Sequence, residues 1–228
     1  MAHVRWVLVL VAAALTGCRS DAVVGDDRAV ATDRAREPVV GLPCEGCEAI
    51  FDGLPRPLPA IPSEVRLASA REPGEALCID GTVRRPDGRP APGVVVYAYH
   101  TDARGVYPPD ERLRGTAAFR HGRLRGWART DADGRYAFVT IRPAGYPGTN
   151  TPQHVHMHVL EPGRCTYYVD DVLFTDDARL VPAVRQQLES GRGGSGVVTP
   201  VRGADGVWRA RRDIRLGEGV PGYPARRD

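Results

Sequence analysis

Three of the six histidines in this 228-residue chain fall within five positions, His154, His156 and His158, shortly after Tyr146 in the run YPGTNTPQHVHMH. In an extended strand, side chains at i, i+2 and i+4 share one face, so the three imidazoles project together while Val155, Met157 and Val159 face the other way. A row of imidazoles is costly to desolvate and packs poorly, and a metal that accepts neutral imidazole offsets that cost. The residues alone leave open whether the centre is a three-histidine site from His154, His156 and His158 or one that also takes the Tyr146 phenol.

The elements that must position this strand read as short β-type runs: Ala76 to Val83, Val94 to His100, Leu124 to Thr130, Arg135 to Ile141, His154 to Leu160, Thr166 to Phe174 and Trp208 to Leu216. Between them stand turn sequences such as Pro86, Asp87, Gly88 and Asp131, Ala132, Asp133, Gly134. Many short strands at this spacing predict an all-β chain, an antiparallel β-sandwich with long loops. One short helix is expected from Ala178 to Ser190, where Leu180, Val181, Val184 and Leu188 fall at helical spacing. The folded domain is expected over 75–228, preceded by a Cys- and Pro-rich arm over 44–74 whose LPRPLPAIP run should be extended, and by a flexible tether over 19–43.

Residues 1–18 have the build of an export signal, with Arg5, an apolar run from Trp6 to Leu15, and small residues before Cys18. Leu15, Thr16, Gly17 and Cys18 resemble the lipobox of bacterial lipoproteins. That resemblance implies a lipid on Cys18 and a chain exported to the bacterial cell envelope, anchored there rather than spanning the membrane. The formal net charge is only +3 with acids and bases intermixed, which gives no footprint for nucleic acid. Cys44, Cys47, Cys78 and Cys165 are an even set in an exported chain, so two disulfides are expected, with Cys78 joined to Cys165 and Cys44 to Cys47 the preferred of three connectivities. A single CxxC pair, Cys44 and Cys47, argues against a four-thiolate zinc and for a disulfide that fixes the arm.

The run GTVRRPDGRPAPGVVVYAYH, from Gly81, followed by TDADGRYAFVTIRPAGYPG, resembles the intradiol ring-cleavage dioxygenases. Strands and turns of this kind also occur in transthyretin-like and regulatory-like sandwiches that only bind, and the metal ligands separate the two. In the dioxygenases a YP dipeptide precedes a PxHxH strand motif; here Tyr146 with Pro147, and Pro152 to His156, match it. A GxY element follows the earlier strand, matched by Gly105, Val106 and Tyr107. The resemblance implies a non-haem Fe(III) held by Tyr107, Tyr146, His154 and His156. A catechol-type molecule and O2 would be the substrates, with Tyr146 leaving the metal to accept a substrate proton.

Two positions depart from the family pattern. Thr151 stands where an arginine is usual, and Asp171 falls near the place of a glutamine, which puts both beside the ligands; Arg129, Arg142 or Arg164 could supply the missing charge. His158 is expected next to the ligands, as a donor or proton relay, or at the sandwich rim. Tyr136, Tyr167 and Tyr168 read as core or rim aromatics, and one of Tyr97 and Tyr99 as a pocket wall. His100 and His121 read as solvent-facing, and a homo-oligomer is compatible with the sandwich.

Overall fold

The computed structural model describes residues 36–44 and 46–225. The export segment, Cys18 and residues 19–35 of the tether lie outside the described residues. Among the described residues, alternation of apolar and polar side chains builds eleven strands: β1 (Glu64–Arg66), β2 (Ala76–Arg84), β3 (Val95–Tyr99), β4 (Arg125–Arg129), β5 (Arg135–Ile141), β6 (His154–Glu161), β7 (Cys165–Phe174), β8 (Val197–Val198), β9 (Val201–Arg202), β10 (Trp208–Arg211) and β11 (Ile214–Arg215). One sheet has the order β1-β5-β2-β10-β9, with β11 on β2; the other has the order β4-β3-β6-β7-β8.

The two sheets face each other across one core. Leu77 and Ile79 of β2 with Tyr136 and Phe138 of β5 meet Val96 and Ala98 of β3, Val155, Met157 and Val159 of β6, and Val169 and Val172 of β7. Burying a side chain of this size stabilises the fold by about 2 kcal/mol. The central pairs are antiparallel, as expected. The margins are not: β1 runs parallel to β5, β10 and β11 parallel to β2, and β8 parallel to β7.

The second sheet is covered on its other face as well. Tyr97, Tyr99 and Leu160 point away from the sandwich core and are packed by Ile50, Phe51, Leu54 and Ile61 of the amino-terminal arm. The arm is also tied down by hydrogen bonds. Trp127 Nε1 donates to the Ile50 carbonyl at 2.7 Å, the Ala118 amide donates to Asp52 Oδ2 at 3.0 Å, and the Arg125 guanidinium donates to the Asp52 carbonyl.

Several local expectations give way to this packing. The sheet starts before Glu75, because β1 pairs with β5. The proline run holds a 3-10 turn at Leu58–Ala60 rather than a fully extended segment. Helix α1 covers only Pro182–Leu188, since Pro182 can enter a helix only in its first turn and Asp177 holds the preceding residues in a turn through the Arg179 amide, at 2.9 Å. The run from Trp208 to Leu216 is broken into β10 and β11.

The Cys78 to Cys165 bridge does not form, and both thiols are free. Leu77 and Ile79 turn inward, so alternation directs Cys78 to the outer side of its sheet, whereas Cys165 of the opposite sheet lies in the core. Cys44 and Cys47 are joined as a disulfide. His100 and His121, expected in solvent, are 0 % and 5 % exposed. His100 follows β3 directly, with Nδ1 donating to the Thr101 carbonyl at 2.7 Å and Nε2 accepting from the Thr140 hydroxyl at 2.6 Å, and His121 is enclosed by the arm and the β3 aromatics.

Candidate metal centre

Strand β6 turns Val155, Met157 and Val159 into the sandwich core and so presents His154, His156 and His158 on the opposite face. Two loops bring the tyrosines to it. The loop after β3 carries Gly105 at φ +81°, where a Cβ would stand 2.2 Å from the Gly145 carbonyl oxygen. Only glycine permits that approach, and it sets the GVY loop against the GYP loop. Tyr107 and Tyr146 therefore meet, with their hydroxyls 2.8 Å apart.

Four donor atoms converge at this point. His156 Nε2 is 2.9 Å from Tyr107 Oη and 3.3 Å from Tyr146 Oη, and His154 Nε2 is 3.1 Å from Tyr146 Oη and 3.1 Å from His156 Nε2. The other ring nitrogens settle where the protons are. His154 Nδ1 donates to the Pro152 carbonyl at 2.8 Å and His156 Nδ1 to Asp171 Oδ1 at 3.0 Å, so in the neutral rings both Nε2 atoms are bare acceptors. Two lone pairs thus face each other at 3.1 Å, an arrangement that asks for a cation. Donors about 3 Å apart are also what a single ion with bonds of about 2 Å requires.

Burial, followed by the hydrogen bond with Tyr146, pushes the Tyr107 phenol far above its ordinary range. Burial and then the neighbouring His156 push His154 down, which keeps it neutral. Asp171 is held below the usual carboxylate range: burial opposes its ionisation, but the electrostatic attraction of the His156 ring and the hydrogen bond from its Nδ1 outweigh that.

Asp171 reaches His156 through an irregularity in the sheet. Val155 pairs with Val172 but Met157 pairs with Val169, so Asp170 and Asp171 together stand opposite His156. Such a bulge re-aims side chains. Asp171 turns to the imidazole, and Asp170 turns to the loop at residues 190–192, where it accepts from three backbone amides.

The donors open onto a cavity of about 700 Å³ lined by Tyr107, Tyr146 and His156 together with Tyr99, Tyr168 and Arg192. Pro43 at the end of the tether, Cys44 of the arm and Leu188 of α1 also line it. A larger depression of about 1030 Å³, lined by Leu58, Pro92 and Pro162, holds none of the donors. Tyr99 is the pocket aromatic of β3: its ring stacks on His156 at 4.5 Å and on His121 at 3.6 Å, with His121 parallel to within 3°. Tyr97 points deeper, its hydroxyl 2.9 Å from His121 Nδ1, and burial pushes its pKa up to about 12. Tyr136 and Tyr167 belong to the core.

The remaining expected neighbours separate. His158 is buried at 1 % exposure, not at the rim, and its Nδ1 has no hydrogen-bond partner among the described residues. Burial holds its pKa down at about 3. Thr151 does not line the cavity; its hydroxyl accepts from Thr149 and its carbonyl from Arg179 at 3.2 Å. Arg142 is engaged by Asp176 and Gln153, and Arg129 and Arg164 line the other depression. The arginines on the donor cavity are Arg120 and Arg192, which no local motif marks.

The sequence profile of the dioxygenase family matches residues 59–192, a span that includes Tyr107, Tyr146, His154 and His156. The chain belongs to the intradiol dioxygenase family. Catechol 1,2-dioxygenase 2 of Acinetobacter lwoffii is 32% identical over 155 residues, which cover 56% of this chain and 54% of that one. Hydroxyquinol 1,2-dioxygenase of Nocardioides simplex is 32% identical over 168 residues, 63% of this chain and 55% of the relative.

Solved structures share the fold of this family member. The dioxygenase domain of a dioxygenase carbohydrate-binding fusion from Streptomyces sp. SirexAA-E superposes with a TM-score of 0.51 at 24% identity, over 69% of this chain and 90% of that one. Catechol 1,2-dioxygenase from Pseudomonas arvilla C-1 gives 0.52 at 24% identity, over 74% and 62%. The chain spans between 31% and 54% of the length of the first curated relatives it matches.

Proposed function

We propose that this chain is a non-haem ferric intradiol dioxygenase that opens a catechol-type ring with O2, holding iron through Tyr107, Tyr146, His154 and His156. The observation that carries this reading is the pair of bare Nε2 atoms of His154 and His156, 3.1 Å apart and within 3.3 Å of a phenol oxygen each. Phenolate is a hard anionic donor suited to Fe(III). Ferric iron bound there supplies the positive charge that ionises phenols and makes a catechol electron-rich enough to react with O2.

The chain's own residues do the rest. Tyr146 Oη accepts a proton from a substrate hydroxyl. Tyr107, His154 and His156 stay in place, with the His156 ring oriented by Asp171 from one side and by the Tyr99 ring from the other. Tyr99 and Tyr168 give the cavity aromatic walls, and the Arg192 guanidinium favours an anionic ring there. The binding-module alternative expects Tyr107 far from the histidines, and the 2.9 Å to His156 speaks against it.

Metal analysis, a visible spectrum and oxygen uptake with catechol test the proposal. Iron-dependent colour from tyrosinate-to-iron charge transfer and ring-opened product are expected. Protein that stays colourless, iron-free and inactive after reconstitution would overturn it.

We also propose export to the bacterial cell envelope with a lipid on Cys18. Expression in a bacterial host should place the wild type in membrane fractions and Cys18→Ser in soluble ones; equal partitioning would count against the anchor.

A further inference from the structure

We infer that Cys44, Cys47 and His158 form a second metal site, for a thiophilic d10 cation such as zinc(II) or copper(I), closed by the Cys44–Cys47 disulfide and opened by its reduction. The ligand atoms of these three residues lie within 4.8 Å of one another. Around a tetrahedral d10 ion with bonds of about 2.0 to 2.3 Å, donor atoms stand roughly 3.3 to 3.8 Å apart, so the imidazole has to close by at most about 1.5 Å while the two sulfurs, bonded to each other here, part to that spacing once the disulfide is reduced. The CxxC spacing is that of a metal-binding knuckle.

His158 supplies the independent observation. It is 1 % exposed, its Nδ1 has no hydrogen-bond partner among the described residues, and its strand holds it in place. A buried nitrogen left in that condition costs on the order of 1 to 3 kcal/mol, which a coordinate bond would offset. The loop between the cysteines is seated as closely: Gly46 has φ +77°, and a Cβ there would stand 2.7 Å from His121 Nε2. His121 Nδ1 already meets Tyr97 Oη at 2.9 Å, which leaves Nε2 turned to the loop as a further imidazole donor.

None of these residues belongs to the tyrosine and histidine set proposed for iron. Hard phenolates and soft thiolates select different metals, so the two sites can be filled separately. They are not independent in space, because Cys44 and His158 line the same cavity as Tyr107, Tyr146 and His156. A cation held there becomes part of the wall against which a substrate rests.

Opening the site requires a two-electron donor. A dithiol breaks the Sγ–Sγ bond, its own sulfurs becoming a disulfide and its two protons passing to Cys44 and Cys47. A divalent cation then displaces both protons to water.

The test uses the full chain reduced with a phosphine, which takes the oxygen of one water as the dithiol forms, and titrated anaerobically with Co2+ after the phosphine is removed. One equivalent of sulfur-to-cobalt charge-transfer absorption is expected, discharged by one equivalent of Zn2+ and absent from the disulfide form. The double variant Cys44→Ser, Cys47→Ser should lose it, and His158→Gln and His158→Ala should each weaken Co2+ binding at least about tenfold. Tyr107→Phe with Tyr146→Phe should leave it intact, which separates this site from the iron proposal. No thiolate band in the reduced chain would overturn the inference, as would unchanged affinity in a His158 variant that keeps its native circular dichroism.

Discussion

Asp171 Oδ1 accepts the Nδ1 proton of His156 at 3.0 Å from a position that exists only because β7 carries one extra residue opposite that histidine. The bond fixes the tautomer that leaves His156 Nε2 bare and orients the ring. Asp171→Asn keeps the size and an acceptor oxygen but removes the charge. Iron affinity, measured by chelator competition, should fall about 10- to 100-fold while thermal stability stays close to wild type.

Tyr146→Phe removes the hydroxyl proposed to take the substrate proton. A positioned base contributes roughly 10²- to 10⁴-fold to a rate, so kcat for ring opening should fall within that range, with part of the charge-transfer colour retained through Tyr107. Stopped-flow absorbance and oxygen uptake measure both quantities. Tyr107→Phe should also lower iron content, because it withdraws an oxygen donor from beside both Tyr146 and His156.

His100 ties stability to pH. Burial pushes its pKa down to about 4 from an ordinary value of 6.5. The unfolded chain therefore binds the proton more readily than the folded one, and the contribution is complete above pH 6.5 and lost as pH falls towards 4. Its size at neutral pH is on the order of 3 kcal/mol. Melting temperatures between pH 7.5 and 4 should fall for wild type and fall less steeply for His100→Asn.

Asp170 holds a wall of the cavity. Its carboxylate accepts from the amides of Ser190 at 2.9 Å, Gly191 at 2.8 Å and Arg192 at 3.2 Å, and from the Ser190 hydroxyl. The buried Arg212 clamps the next turn by donating to the carbonyls of Gly193 and Gly194, at 3.0 Å each. Asp170→Ala strips three amides of their acceptor and should destabilise the fold by on the order of 3 kcal/mol. Since Ser190 and Arg192 line the cavity, KM for a catechol should rise more than kcat falls.

The parts of this molecule that obey a local period were legible in its sequence. The strand from Arg135 to Ile141 has the same bounds in both, because alternation along it is the burial pattern itself. Tyr107, Tyr146, His154 and His156 were marked by motif, and the structure brings their donor atoms together. What depends on a distant segment was not readable. The burial of His121 needs the arm to fold over β3, and the meeting of Asp171 with His156 needs the bulge, whose register no single strand specifies. The free Cys78 is different: Leu77 and Ile79 flank it as inward residues, and that alternation already directed its thiol away from Cys165.

The arm that covers the outer face of the second sheet contributes Cys44 to the cavity, next to Pro43 that precedes it, while all four donors come from β6 and two loops beyond β3. One part of the cavity wall thus comes from a stretch of polypeptide that carries none of the donors. Substitutions at Pro43 can therefore reshape one wall of the cavity while the donors keep their own supports, whereas changes at Ile50 or Ile61 would reach His156 through Tyr99.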